Sequence, residues 1–253
     1  MQIFSQAFSA PKLGNLEEEY EDAFWCQATP DKQGQDYSFA VADGASEASF
    51  SGLWANMLVK TFGSKYTNKA SIIEALALLQ NQWLNEVNTK PLPWYAEEKL
   101  RRGAFSSFLG LYINTKNVIA DGYVGWEAIA IGDSCLYQIR NDDLIVCFPI
   151  NHSNIFNNSP ILISSNYDSN IDLNDNLLTL SGTCKTDDSF YLLTDALACW
   201  FLQSYEQGEK PWKVLRDLDT IDEEKPFVDF ITDCRKSKSI RNDDVTLLRI
   251  DIV

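Results

Sequence analysis

Tyr37-Ser38-Phe39-Ala40-Val41-Ala42-Asp43-Gly44-Ala45-Ser46 is an apolar run that stops at an acid and a glycine. Its alternation of aromatic, β-branched and small residues reads as a strand entering a core, with Asp43 at the strand's end, where the chain turns. A carboxylate placed there is aimed by the strand. Gly44 adds a main-chain carbonyl that a ligand can approach closely, because no Cβ stands in the way. Taken alone, the same residues read first as a strand followed by an ordinary Asp-Gly turn. The choice depends on whether other acids converge on Asp43.

Upstream, residues 2–8 read as a short strand. The acidic run Glu17-Glu18-Glu19-Tyr20-Glu21-Asp22 then leads into apolar Ala23-Phe24-Trp25-Cys26. Glu17 to Glu19 read as a solvated edge, whereas Glu21 and Asp22 adjoin a predicted buried strand and can point inward. Downstream of Asp43 the period changes. Phe50, Leu53, Trp54, Met57, Leu58 and Phe62, then Ile72, Leu76, Leu79, Trp83 and Val87, fall at helical spacing and predict two amphipathic helices. Pro91-Leu92-Pro93 breaks the second, and a short helix over 94–102 is expected before Gly103.

Strands are predicted at 105–113, 118–123, 127–131, 136–139 and 144–148, with Arg140-Asn141-Asp142-Asp143 as a hairpin turn. Consecutive strands without intervening helices predict antiparallel meanders. Residues 149–180 are polar and Asn-rich and read as a mobile excursion with little regular structure. The only histidine, His152, lies in it and reads as a surface loop residue. Phe190-Tyr191-Leu192-Leu193-Thr194 then ends in Asp195, repeating the arrangement at Asp43. Helices are predicted through Leu197, Trp200 and Phe201, over 211–219 and over 226–237, and Asn242-Asp243-Asp244 opens a closing strand at Val245.

The 253 residues, 45% hydrophobic and with no Pro/Gly/Ser-rich divider, predict one domain over 1–253. A formal charge of −15 opposes general affinity for nucleic acid or an anionic membrane. No window approaches the ~20 apolar residues of a membrane span, and the N-terminus has no basic region followed by a long apolar run. The six cysteines are widely spaced and several sit in apolar segments, so reduced thiols, a cytoplasmic location and a monomer are the expectations.

Asp43, Asp195 and either Asp243 or Asp244 each stand at the rim of a predicted strand, and Asp22 opens a fourth such place. Clustered carboxylates raise one another's pKa and persist chiefly where a cation neutralises them. Oxygen donors without His or Cys select hard ions, Mg²⁺ or Mn²⁺ ahead of Ca²⁺. The spacing is not that of a contiguous calcium loop.

Glu21-Asp22, Ala42-Asp43-Gly44, Gly103-Ala104-Phe105-Ser106-Ser107, Ile131-Gly132-Asp133-Ser134, Leu193-Thr194-Asp195 and Asn242-Asp243-Asp244-Val245-Thr246 occur in that order. The ordered set resembles the metal-dependent type 2C serine/threonine protein phosphatases. Thr194-Asp195-Ala196-Leu197-Ala198-Cys199-Trp200 is similar to a bacterial branch of that family. The resemblance implies an α+β fold, a four-layer α-β-β-α sandwich with two central antiparallel sheets. It also implies two Mg²⁺ or Mn²⁺ ions at one end of that sandwich. On it, Asp43 bridges both ions, the Gly44 carbonyl binds one, and Asp195 with Asp243 completes the other's shell. Glu21 and Asp22 act directly or through water, and Asp244 can share the role of Asp243. Gly132-Asp133-Ser134 is then a supporting turn. The implied reaction is hydrolysis of phosphoserine or phosphothreonine on proteins, opposing a protein kinase, by a water held between the ions. Asp43, Asp195 and Asp22 would carry it.

The family's pattern is departed from in places. Glu17 stands where many members carry a phosphate-binding arginine, which leaves Lys12, Arg101 or Arg102 to bind substrate, and Ala45 replaces a histidine that often follows the Asp-Gly pair. Arg101 stands where bacterial relatives often place an acid for a third metal, and Ala196 replaces a common glycine. These departures support an alternative, a weakly active or inactive regulatory protein that keeps the fold. An enzyme acting on a small phosphorylated molecule is a third reading with the same core chemistry.

Overall fold

The strand β3 (Asp36–Ala42) shows how the layers are stacked. Phe39 and Val41 pack into a core between two sheets, while Ala40 and Ala42, on the opposite face, pack beneath helices. A period of two thus serves two cores, and the small alanines let a helix lie close to the sheet. In this computed structural model residues 1–26, 36–65, 68–89, 100–119, 121–157, 159–218 and 225–253 are described.

One sheet is ordered β1 (Ile3–Ala10), β12 (Val245–Ile252), β11 (Ser189–Leu193), β7 (Cys135–Arg140), β8 (Asp143–Phe148). The other is ordered β10 (Leu178–Cys184), β6 (Val124–Ile131), β5 (Phe108–Val118), β3, β2 (Ala23–Cys26). Every pairing within them is antiparallel. A small antiparallel pair, β4 (Phe105–Ser106) with β9 (Ile163–Ser164), completes the strands. Between the large sheets lie Phe39, Val41, Leu111, Trp126, Phe190, Leu192, Leu248 and Ile250.

Helices α1 (Ser51–Lys65) and α2 (Lys69–Asn88), with the one-turn α3 (Leu173–Asn176), cover the second sheet. The residues that predicted α1 and α2 supply their inward faces: Trp54, Leu58 and Phe62, then Ile72, Leu76, Leu79, Trp83 and Val87 are buried. Asn68 caps α2, its side chain accepting from Ser71 N at 3.0 Å. Helices α4 (Asp195–Glu206), α5 (Pro211–Asp217) and α6 (Lys225–Lys236) cover the first sheet through Leu197, Phe201, Trp212, Leu215, Phe227 and Ile231. The expected α-β-β-α sandwich is the observed one. Among the described residues no helix is long and apolar enough to cross a membrane.

Two expectations differ from the structure. Among the described residues of 118–123 no separate strand occurs: β5 runs through Val118, and Asp121 and Gly122 form a turn, both at positive φ. Residues 149–180 are tied down rather than free, because Ile163, Leu173 and Leu177 are buried and Asn170 brackets Ser164 with two hydrogen bonds. Residues 100–102 are helical, and the rest of the helix expected over 94–102 lies outside the described residues.

Candidate metal centre

Antiparallel register decides which strand ends meet. Ala23 of β2 pairs with Ala42 of β3, so Asp22 and Asp43, the next residue out on each, leave the second sheet together. In the first sheet Leu193 pairs with both Leu247 and Cys135, which brings Asp195, Asp243 and Asp133 to one end. Both ends open on one cavity of about 690 Å³, whose wall includes Asp43, Gly44, Asp133, Asp195, Arg241 and Asp243. Lys12 and Arg102 also line it, and Arg101 does not. His152 is 68% exposed outside the cavity wall, with Nδ1 3.6 Å from Glu206 Oε1.

The backbone at Asp43 is clamped on several sides. Its carbonyl accepts from Ser107 N at 2.9 Å and Ser106 Oγ at 2.8 Å, and its N–H donates to Ser107 Oγ at 3.1 Å. Ser107 Oγ in turn lies 2.7 Å from Ser134 Oγ. The Gly103–Ser107 and Gly132–Ser134 motifs thus form one scaffold under Asp43. A Cβ at Gly44 would fall 2.7 Å from Glu21 O and 2.8 Å from Ser51 C, so only glycine fits there. Glu21 is placed by the same contact and accepts a short hydrogen bond from Ser51 Oγ.

Asp243 and Asp244 face different ways. Asp244 Oδ1 accepts from Lys12 N at 2.7 Å and Oδ2 from Glu21 N at 2.8 Å, so this carboxylate ties two loops together. Asp243 lines the cavity, and its carbonyl accepts from buried Arg235 Nη2 at 2.6 Å.

Burial and mutual repulsion favour the protonated form of Asp22, Asp43, Asp133 and Asp195. Burial pushes Asp43 well up, and the charges of Asp22, Asp195, Asp133 and Asp243 push it further. Asp22 is also raised by burial, against a 2.8 Å hydrogen bond from Thr246 Oγ1. Asp195 is raised by burial against the pull of Arg241. Asp133, 5% exposed, is raised by burial and the Asp195 charge to about 7. Asp133 and Arg241 were missed as cavity groups in the sequence, where the first reads as part of a turn. The signal for Arg241 was its place two residues ahead of an acid at a strand entrance.

Buried Asp22 Oδ1 and Asp195 Oδ1 have no hydrogen-bond partner. A buried carboxylate oxygen left unpaired costs about 1–3 kcal/mol or more, which a cation would remove. The donors are all oxygen, so the residues fit a hard divalent ion. Among the described residues, however, no three His, Cys, Asp or Glu side chains already form a chelate. Arg241 Nη2 makes a short contact to Asp195 Oδ2 and lies 3.1 Å from Asp243 Oδ2, occupying part of that space.

No protein-family model matches the chain, and no curated protein matches it in sequence. The fold is that of the type 2C serine/threonine protein phosphatases. In particular, the chain is similar to the Mycobacterium tuberculosis serine/threonine phosphatase PstP/Ppp, at 15% identity and TM-score 0.57, covering 100% of this chain and 99% of that one. The catalytic domain of PstP in complex with two manganese ions gives 14% identity, TM-score 0.59 and the same coverage. RsbX in complex with magnesium gives 17%, TM-score 0.52, and coverage of 100% and 96%.

Proposed function

We propose that this chain is a divalent-cation-dependent phosphatase of phosphoserine and phosphothreonine in proteins, opposing a protein kinase. The observation that carries the reading is a pair of unpartnered, buried carboxylate oxygens: one on Asp195, at a cavity also lined by Asp43, Asp133 and Asp243, and one on Asp22, which stands beside Asp43 behind that wall. A scaffold without cation chemistry has no use for that many like charges at one rim. Asp43, Asp195 and Asp243 would hold two Mg²⁺ or Mn²⁺ ions, with the Gly44 carbonyl, Glu21 and Asp22 supporting them. When bound, such ions lower the pKa of water, orient it for in-line attack and neutralise phosphoryl oxygens. The chain's own share is positional. The Ser106, Ser107 and Ser134 hydroxyls fix Asp43, and Asp244 fixes the loop carrying Glu21. Lys12 and Arg102, on the cavity wall, would offer positive charge to an anionic substrate. Six free thiols, Cys135 and Cys184 among the buried ones, suit a reducing compartment such as the cytoplasm.

A second reading, a phosphoprotein-binding regulator that does not hydrolyse, is favoured by the hold of Arg241 on Asp195 and Asp243. Release of phosphate from a phosphothreonine peptide, measured with Mn²⁺, Mg²⁺ or chelator and with Asp195→Asn as control, separates the two. Metal-dependent release that the variant lacks supports the enzyme. Metal binding by calorimetry without release supports the regulator, and neither metal binding nor release would remove both.

A further inference from the structure

Arg241 stands where two cavities meet. Besides the acidic cavity it lines a second one of about 510 Å³, walled by Phe156, Cys199, Trp200 and Lys238. Its side chain is 47% exposed, so packing does not trap the guanidinium, although the carboxylates of Asp195 and Asp243 hold it. Its backbone, in contrast, is fixed: Asp243 N donates to Arg241 O at 3.0 Å, and the Asp243 carbonyl is bound by Arg235. A cation on a free stem and a fixed base, beside acids that need a counter-charge, can exchange one anion for another.

We propose that Arg241 is the phosphate-binding residue of this cavity: it neutralises Asp195 and Asp243 while they lack a metal, yields them to the divalent cation, and then meets the substrate's phosphoryl oxygens. The inference rests on the cation-dependent reading above. Two chemical facts favour Arg241 over Lys12, whose Nζ lies 3.8 Å from Asp243 Oδ1. A guanidinium offers a planar fork that matches two phosphate oxygens at once, whereas an ammonium acts as a point charge. The fork also starts among the very acids that a cation would engage, so displacement leaves it beside the bound ion, where a phosphoryl group must sit.

The test is calorimetry on the full chain: Mn²⁺ into metal-free protein, then inorganic phosphate into Mn²⁺-saturated protein, for wild type, Arg241→Gln and Arg241→Lys. Arg241→Gln should bind Mn²⁺ about tenfold more tightly, since the competing charge is gone, and phosphate about tenfold more weakly. Arg241→Lys should keep Mn²⁺ affinity within about threefold of wild type yet lose part of the phosphate affinity, because charge is kept and the fork is not. Phosphate affinity within about twofold of wild type in Arg241→Gln overturns the proposal while leaving the metal centre standing. Unchanged Mn²⁺ affinity in that variant overturns the exchange. Absence of Mn²⁺ binding in all three proteins removes the centre itself, and the proposal with it.

Discussion

Ionisation of Asp43 is disfavoured first by burial and then by the charges of Asp22, Asp195, Asp133 and Asp243. Asp43→Asn removes that repulsion while keeping the shape. In chelator the variant should melt about 2–4 °C higher than wild type, the shift expected from roughly 1 kcal/mol in a chain of this size. It should also lack the stabilisation that Mn²⁺ is expected to give wild type, and melting curves with and without Mn²⁺ check both. A lower melting point in chelator would show that Asp43 is held by contacts its charge supports. Asp22, Asp43 and Asp195 were legible in the sequence because each adjoins an apolar run that reads as a strand. Asp243 and Asp244 could not be told apart there, since adjacent acids differ only in the direction they face. The structure gives Asp244 two main-chain amides and Asp243 the cavity.

Strand β11 is flanked by two acids in different surroundings, about 20 Å apart along an extended chain. Asp195 follows it at the cavity. Asp188 precedes it, buried, and accepts from Gln138 Nε2 at 2.9 Å, Arg140 Nε at 2.8 Å and Arg140 Nη2 at 2.6 Å, tying β11 to β7. Asp188→Ala leaves Arg140 and Gln138 without that partner. Breaking a fully buried pair costs about 3–5 kcal/mol; with Arg140 partly exposed, about 2–4 kcal/mol is expected, or a melting point lower by roughly 5–10 °C. Mn²⁺ affinity should stay within about threefold, and a parallel loss would mean that the two ends of the strand are coupled. At this scale the helices α1 and α2 and the strands around β3 and β11 were legible through their periodicity. The edge strand β10 was not, since Ser181-Gly182 imitates a turn and Leu178 and Leu180 point outward at an unpaired edge. Val118 and Ile119 imitated a strand of their own, although they are exposed at the end of β5 and the start of a turn.

Taken together, the cavity acids and the buried Asp22 beside them make the whole molecule pH-sensitive. Asp22, Asp43, Asp133 and Asp195 all keep protons to higher pH in the fold than as free side chains, Asp133 to about 7, with Arg241 as the facing cation. Between roughly pH 4 and 7 the metal-free folded chain therefore binds more protons than the unfolded one, so its stability falls as pH rises through that window. Melting in chelator should occur at higher temperature at pH 6 than at pH 8. Saturating Mn²⁺ should reverse the order, because protons and cation compete for the same oxygens. Parallel pH profiles with and without Mn²⁺ would place the cation elsewhere. The sandwich itself was implied by the resemblance that the ordered motifs carry, with which the periodicity agreed, while the meeting of both sheet ends on one cavity required the register. That register also has a consequence for synthesis. β1 pairs along its whole length with β12, and the cavity acids run from Asp43 to Asp243. A chain emerging from the ribosome carries Asp22 and Asp43 early, but it lacks the strand that closes the first sheet until residues 245–252 are made. Such long-range pairing forms late. A stalled or prematurely terminated chain therefore cannot complete the first sheet or bring Asp243 to the cavity, and the site is assembled only when translation has delivered the closing strand.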